Sequence, residues 1–92
     1  MDLNELTFSQ KLNLACGKNT PPETLTLLSS DEEYYVRGNV ANNPNTPPET
    51  LTLLASDEDP YVRYWVARNP NTLQYVKDYL IVRNFMSKYF FI

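Results

Sequence analysis

The 92-residue chain has a formal net charge of −3, eight Lys and Arg against eleven Asp and Glu, an isoelectric point near 4.7, one cysteine and no histidine. That length admits one domain with a modest core, burying roughly 60–65% of the unfolded chain's surface. The charge argues against nonspecific binding of a phosphate backbone, and a lone Cys16 excludes an intramolecular disulfide, a Cys/His zinc site and a cysteine-ligated iron–sulfur cluster.

The amino-terminal stretch, MDLNELTFSQKLNLACG, lacks the basic start and apolar run of a signal peptide. No apolar segment approaches the ~20 residues that span a bilayer, so no membrane role and a cytoplasmic address are expected. Residues 1–8 have little pattern. Thr7 to Gln10 has the form of a capping box and predicts a helix to about Cys16, with Gly17 stopping it.

Asn19 to Pro44 reads NTPPETLTLLSSDEEYYVRGNVANNP, and Asn45 to Pro70 reads NTPPETLTLLASDEDPYVRYWVARNP. Of these 26 aligned positions six differ (Ser29/Ala55, Glu33/Asp59, Tyr34/Pro60, Gly38/Tyr64, Asn39/Trp65 and Asn42/Arg68), leaving 20 identical. This is an internal repeat. Shifting Tyr61–Thr72 back two periods superposes Lys11 on Arg63, Leu14 on Val66, Ala15 on Ala67, Asn19 on Asn71 and Thr20 on Thr72. Residues 1–18 therefore end in a degenerate half-repeat, as expected of an end cap.

Each full block opens with Asn-Thr-Pro-Pro-Glu. Thr20 or Thr46 is expected to cap a short helix, with proline in its first turn and Glu23 or Glu49 completing the box. The short helices should cover about 21–28 and 47–54, with Leu25, Leu27, Leu28 and Leu51, Leu53, Leu54 as their apolar side. Ser-Asp-Glu-Glu at 30–33 and Ser-Asp-Glu-Asp at 56–59 then signal longer helices over about 32–42 and 58–68. Val36, Val40, Ala41 and Val62, Val66, Ala67 form their buried stripes. Asn43-Pro44-Asn45 and Asn69-Pro70-Asn71 break each helix, and these asparagines are expected to stack as a structural ladder.

The third block departs from the pattern: Leu73-Gln74 replaces Pro-Pro, Tyr75 replaces Glu, and Lys77 stands where Leu51 was. The apolar spacing predicts one helix to about Val82 and a second to about Phe90. The expected organisation is one repeat domain over 1–92: cap and half-repeat 1–18, repeats 19–44 and 45–70, and carboxy-terminal cap 71–92.

The run Val36-Arg37, Val40-Ala41, Asn43-Pro44, Asn45 to Leu51, Leu53-Leu54 and Asp57 with Asp59 resembles the variant leucine-rich repeat family. The resemblance covers residues 9 to about 81. It implies an all-α fold: a short right-handed α-solenoid, similar in style to HEAT and armadillo arrays, in which short, sometimes three-ten, helices alternate with longer ones. Some family members carry an amino-terminal iron–sulfur domain, which this chain's single cysteine cannot build.

In a stack, positions that vary between repeats are candidates for specific function. Tyr64, Trp65 and Arg68 replace Gly38, Asn39 and Asn42, and helical spacing gathers Tyr61 with them into an aromatic and arginine cluster expected to bind a protein partner. Trp65 either joins that surface or fills space against the carboxy-terminal cap; Gly38 leaves room for a shallow groove beside Tyr64. Glu32, Glu33, Glu58 and Asp59 form an acidic edge, explained by helix capping or by attraction to a basic groove. Lys11, Arg37 and Arg63 recur at one position and are expected to ladder with neighbouring carboxylates or helix-end carbonyls.

Without histidine or a glycine-rich loop, no catalytic, cofactor or metal residues are expected, and the chain reads as non-enzymatic. Two other readings stay open: a phage or mobile-element inhibitor whose acidic edges block a basic groove of a defence nuclease, and a HEAT-like nucleic-acid binder. The apolar ending Phe85 to Ile92 either seals the last repeat or serves as a homodimer or partner surface.

Overall fold

The computed structural model describes residues 2–89, and side chains through Asn84. A three-ten turn at Leu3–Glu5 leads into six α-helices: α1 (Phe8–Cys16), α2 (Pro22–Leu28), α3 (Tyr34–Asn42), α4 (Pro48–Leu54), α5 (Pro60–Arg68) and α6 (Gln74–Tyr89). There is no strand among the described residues. The long helices stack on one another, α1 on α3 and α3 on α5, while α2, α4 and α6 pack against them as a second layer. The result is a helical repeat of the solenoid kind, 43 Å along its longest axis. The two short repeat helices are α-helical rather than three-ten.

The core lies between the layers. Ala15, Val36, Val40, Ala41, Val62 and Val66 come from the long helices, and Leu25, Leu28, Leu51, Leu54, Val76 and Leu80 from the other layer. Small Ala and Val on the stacked helices let them approach closely, and leucines from the short helices fill the seam. Seven residues are too few for a helix to persist alone, so α2 and α4 exist because these leucines are buried.

Leu27 and Leu53 do not share that role, against the sequence expectation: they are 62% and 75% exposed. Leu25 and Leu28 are three apart and share a face; a residue two positions from Leu25 points to the opposite side.

The capping box at the start of α1 is present, with Gln10 N donating to Thr7 Oγ1 at 3.2 Å and Thr7 N to Gln10 Oε1 at 2.9 Å. Thr20 and Thr46, by contrast, do not cap α2 and α4. Pro21 and Pro47 stand at those cap positions without a side-chain bond. The threonine hydroxyls turn back and donate to the Leu14 carbonyl at 2.7 Å and the Val40 carbonyl at 2.6 Å; Thr72 does the same to Val66 at 2.6 Å. The reason is burial. A helix-end carbonyl shut away from water loses more without a partner than an amide at an exposed helix start.

The long helices begin two residues later than the sequence suggests. Asp31 and Asp57 accept from the Glu33 and Asp59 amides at 3.0 and 2.9 Å, folding each carboxylate into a turn that keeps residues 32–33 and 58–59 out of the helix. α6 is one continuous helix instead of two, as no glycine or proline interrupts Leu73 to Ile92. The alternatives of a sealing or associating tail at Phe85 to Ile92 lie outside the described side chains.

Two ladders tie repeat to repeat. Asn43 Nδ2 donates to the Ala15 and Gly17 carbonyls at 2.8 and 2.9 Å, and Asn69 Nδ2 to the Ala41 and Asn43 carbonyls at 2.7 and 3.0 Å. Their Oδ1 atoms accept from the Asn45 and Asn71 amides. These are the stacked structural asparagines. In the second ladder, Lys11 Nζ is 2.7 Å from Asp31, and Arg37 holds Asp57 by Nε at 2.7 Å and Nη2 at 3.2 Å. Those hydrogen bonds, first of all, push the Lys11 and Arg37 pKa values above their ordinary ranges.

Candidate functional site: an aromatic strip on the stacked helices

Positions 35, 38, 39 and 42 of α3 and positions 61, 64, 65 and 68 of α5 have the same helical spacing one period apart, so the two sets lie side by side on the stack. On α3 the last three are small or polar. Asn39 is used locally: Nδ2 donates to the Tyr35 carbonyl at 2.7 Å, and Oδ1 accepts from Cys16 Sγ at 3.1 Å.

On α5 the face is aromatic. The Tyr64 and Trp65 rings meet edge to face with centroids 5.0 Å apart, and Tyr61 stands edge-on to Trp65 at 6.4 Å. Arg68 Cζ lies 5.4 Å from the centre of the Tyr64 ring, within cation–π range. Tyr64 is 53% exposed and Arg68 is exposed; Tyr61 and Trp65 are half-buried. Trp65 is half-buried and packs against the core.

Gly38 leaves no groove. A Cβ built there would stand 2.3 Å from Cε2 of Tyr61, because the Tyr61 ring lies directly over the glycine. Substituting tyrosine there, as at position 64, would remove the seat of Tyr61.

The strip is longer than the four residues the sequence singled out. Tyr35 lies 5.4 Å from Tyr61 at 71°, Tyr34 lies 5.7 Å from Tyr61 at 84°, and Tyr34 and Tyr35 are 4.2 Å apart. Tyr35 is the copy of Tyr61, and its identity made it look like scaffold alone. The signal was the period itself, which places position 35 beside position 61 on adjacent helices. Tyr34 is pushed up to about 12, chiefly by the neighbouring Tyr35 hydroxyl and next by burial.

The acidic edge is only partly free. Glu32, Glu33 and Glu58 are exposed, whereas Asp59 accepts from the Tyr61 amide at 2.9 Å as the cap of α5. On the other layer, exposed Leu53, Leu73 and Tyr75 border a cleft of about 380 Å³ with Pro48, Glu49 and Thr52. No helix among the described residues is long and apolar enough to cross a membrane.

Residues 34–59 match the family described as "Leucine rich repeat variant", a span of one period that runs from the start of α3 to the cap of α5. No curated protein and no solved structure matches the chain. The matched span is similar to a variant leucine-rich repeat, and its period recurs across the stacked helices.

Proposed function

We propose that the chain is a non-enzymatic module that binds a protein partner through Tyr61, Tyr64, Trp65 and Arg68. The observation that carries this reading is the Arg68–Tyr64–Trp65 stack on α5. Tyrosine, tryptophan and arginine dominate binding hot spots, because each covers much area at a low cost in rotamer freedom. Here the rings are held from below by one another and by the core, so little ordering remains to be done on binding. The match to a repeat family supports a binding role over a catalytic one.

The test is capture of a partner from native lysate on the tagged chain, followed by affinity measurement with Tyr64→Ala and Arg68→Ala combined. The expected loss is about tenfold or more, equivalent to about 1.4 kcal/mol, with the circular dichroism unchanged. An unaltered affinity with an intact fold would refute the assignment.

A basic protein groove as the partner has one point in its favour, the exposed carboxylates Glu32, Glu33 and Glu58. Binding through them would fall steeply with salt and vanish on their neutralisation.

A further inference from the structure

The cation–carboxylate ladder follows a fixed offset: Lys11 pairs with Asp31 and Arg37 with Asp57, each 20 residues on. The next rung begins at Arg63, and the residue 20 positions on is Arg83. Arg63 repeats half of what Arg37 does. Its Nη1 donates to the Asp57 carbonyl at 2.7 Å, as Arg37 Nη1 does to the Asp31 carbonyl at 2.9 Å. Its Nε, the atom by which Arg37 holds Asp57, is buried and has no hydrogen-bond partner among the described residues.

A buried donor left unmade costs about 1–3 kcal/mol, and more when charged. Burial first, and the charge of Arg83 second, depress the Arg63 guanidinium below its ordinary range. Among the described residues Arg83 has a neutral acceptor alone, with Nη1 donating to Tyr79 Oη at 3.2 Å. Two guanidinium groups therefore share the end of a ladder whose other rungs each end on a carboxylate.

We infer that Arg63 and Arg83 form a receptor for one carboxylate, seated where Asp31 and Asp57 stand in the preceding rungs. The fork of a guanidinium matches the planar carboxylate in two parallel bonds, the geometry already used by Arg37. A single negative charge is selected over a phosphate dianion by Asp57 and Asp59, whose own charges act on Arg63. Nε is shielded from water, so the occupant seats by displacing a neighbour. Arg83, held by one hydrogen bond to an exposed tyrosine, can turn to bring its guanidinium onto the seated carboxylate.

The experiment follows the Arg63 Nε–Hε resonance of the full ¹⁵N-labelled chain during titration with sodium acetate, with a blocked aspartyl tripeptide, and with sodium chloride at matched ionic strength. Acetate is expected to move the resonance downfield to saturation while chloride does not. A matching response to the tripeptide assigns the site to a protein side chain, and a response to acetate alone assigns it to a free small carboxylate. Arg83→Asp, which supplies the carboxylate from within, is expected to show the downfield position without ligand and to lose the acetate response. Arg83→Gln, which keeps a neutral side chain, is expected to weaken that response. Acetate shifts that merely track chloride, or an Arg83→Asp chain that still responds in full, would overturn the proposal.

Discussion

Arg37 grips Asp57 across the repeat boundary with two hydrogen bonds, 2.7 Å from Nε and 3.2 Å from Nη2, while both side chains are largely buried. Asp57 also shapes the turn before α5 by accepting from the Asp59 amide at 2.9 Å. Asp57→Ala therefore removes a charge-assisted pair and a turn together, and should cost about 3 kcal/mol. Asp57→Asn keeps an acceptor for the turn and should cost less. Urea unfolding should show a lower midpoint with unchanged slope for both, ranked in that order.

The ring of Tyr61 over Gly38 makes a prediction of sign. Alanine is favoured over glycine in a helix by about 1 kcal/mol. At position 38 its Cβ would meet the Tyr61 ring at 2.3 Å, and that ring is hemmed by Tyr34, Tyr35 and Trp65. Gly38→Ala should thus destabilise by about 1–3 kcal/mol in the native chain. With Tyr61→Ala already in place, the same change should stabilise. A double-mutant cycle by thermal unfolding reads both signs, and equal effects in the two backgrounds would show that the ring is not the obstacle.

Asn69 gives its amide to two helix-end carbonyls and its oxygen to the Asn71 amide, at 2.7, 3.0 and 2.8 Å, and it is 2% exposed. Asn69→Ala orphans the Ala41 carbonyl and the Asn71 amide, while the Asn43 carbonyl keeps the Thr46 amide at 3.1 Å, and should cost about 2–4 kcal/mol. Hydrogen exchange should speed most at the Asn71 amide, which loses its acceptor. Asn42→Ala, on the exposed side of the same region, should change stability by no more than about 0.5 kcal/mol.

Alkaline pH reports on the tyrosine strip. The Tyr34 pKa rises from its ordinary 10.0 to about 12 in the folded chain. A folded value above the unfolded one means that the protonated phenol favours the fold. That contribution is fully present below pH 10 and is lost as pH rises through about 12. A phenolate absorbance titration should show one tyrosine ionising last, and Tyr34→Phe should abolish that last step; its survival in the variant would assign it elsewhere.

Much of this architecture was legible because repetition is local chemistry written more than once. The boundaries of α1 to α5 fell within two residues, Thr7–Gln10 capped α1, and the asparagine and cation ladders could be named from recurrence alone. What could not be read depends on where a neighbouring helix sits. The sequence assigned Thr46 a local cap, yet the Val40 carbonyl behind it had the stronger claim. Leu53 is apolar like Leu51 and Leu54, and only the direction of the α3–α5 layer decides that it faces out. Gly38 looked like a gap because its occupant, Tyr61, arrives from the next repeat. Of the strip, the variable residues Tyr64, Trp65 and Arg68 stood out by comparison of the two blocks, whereas Tyr34 and Tyr35 join it only through contact between helices.

The backward-reaching threonines and asparagines give the stack a grain. The end of α3 is finished by Thr46 and Asn69, neither of which belongs to α3, and the end of α1 by Thr20 and Asn43. α1 and α3 therefore acquire their terminal partners from segments that lie carboxy-terminal to them, which a ribosome makes later. A nascent chain carries one unfinished helix end at its growing edge, and whole 26-residue cassettes, which bring their own threonine and asparagine, are the units in which the array can be lengthened without leaving a raw end inside.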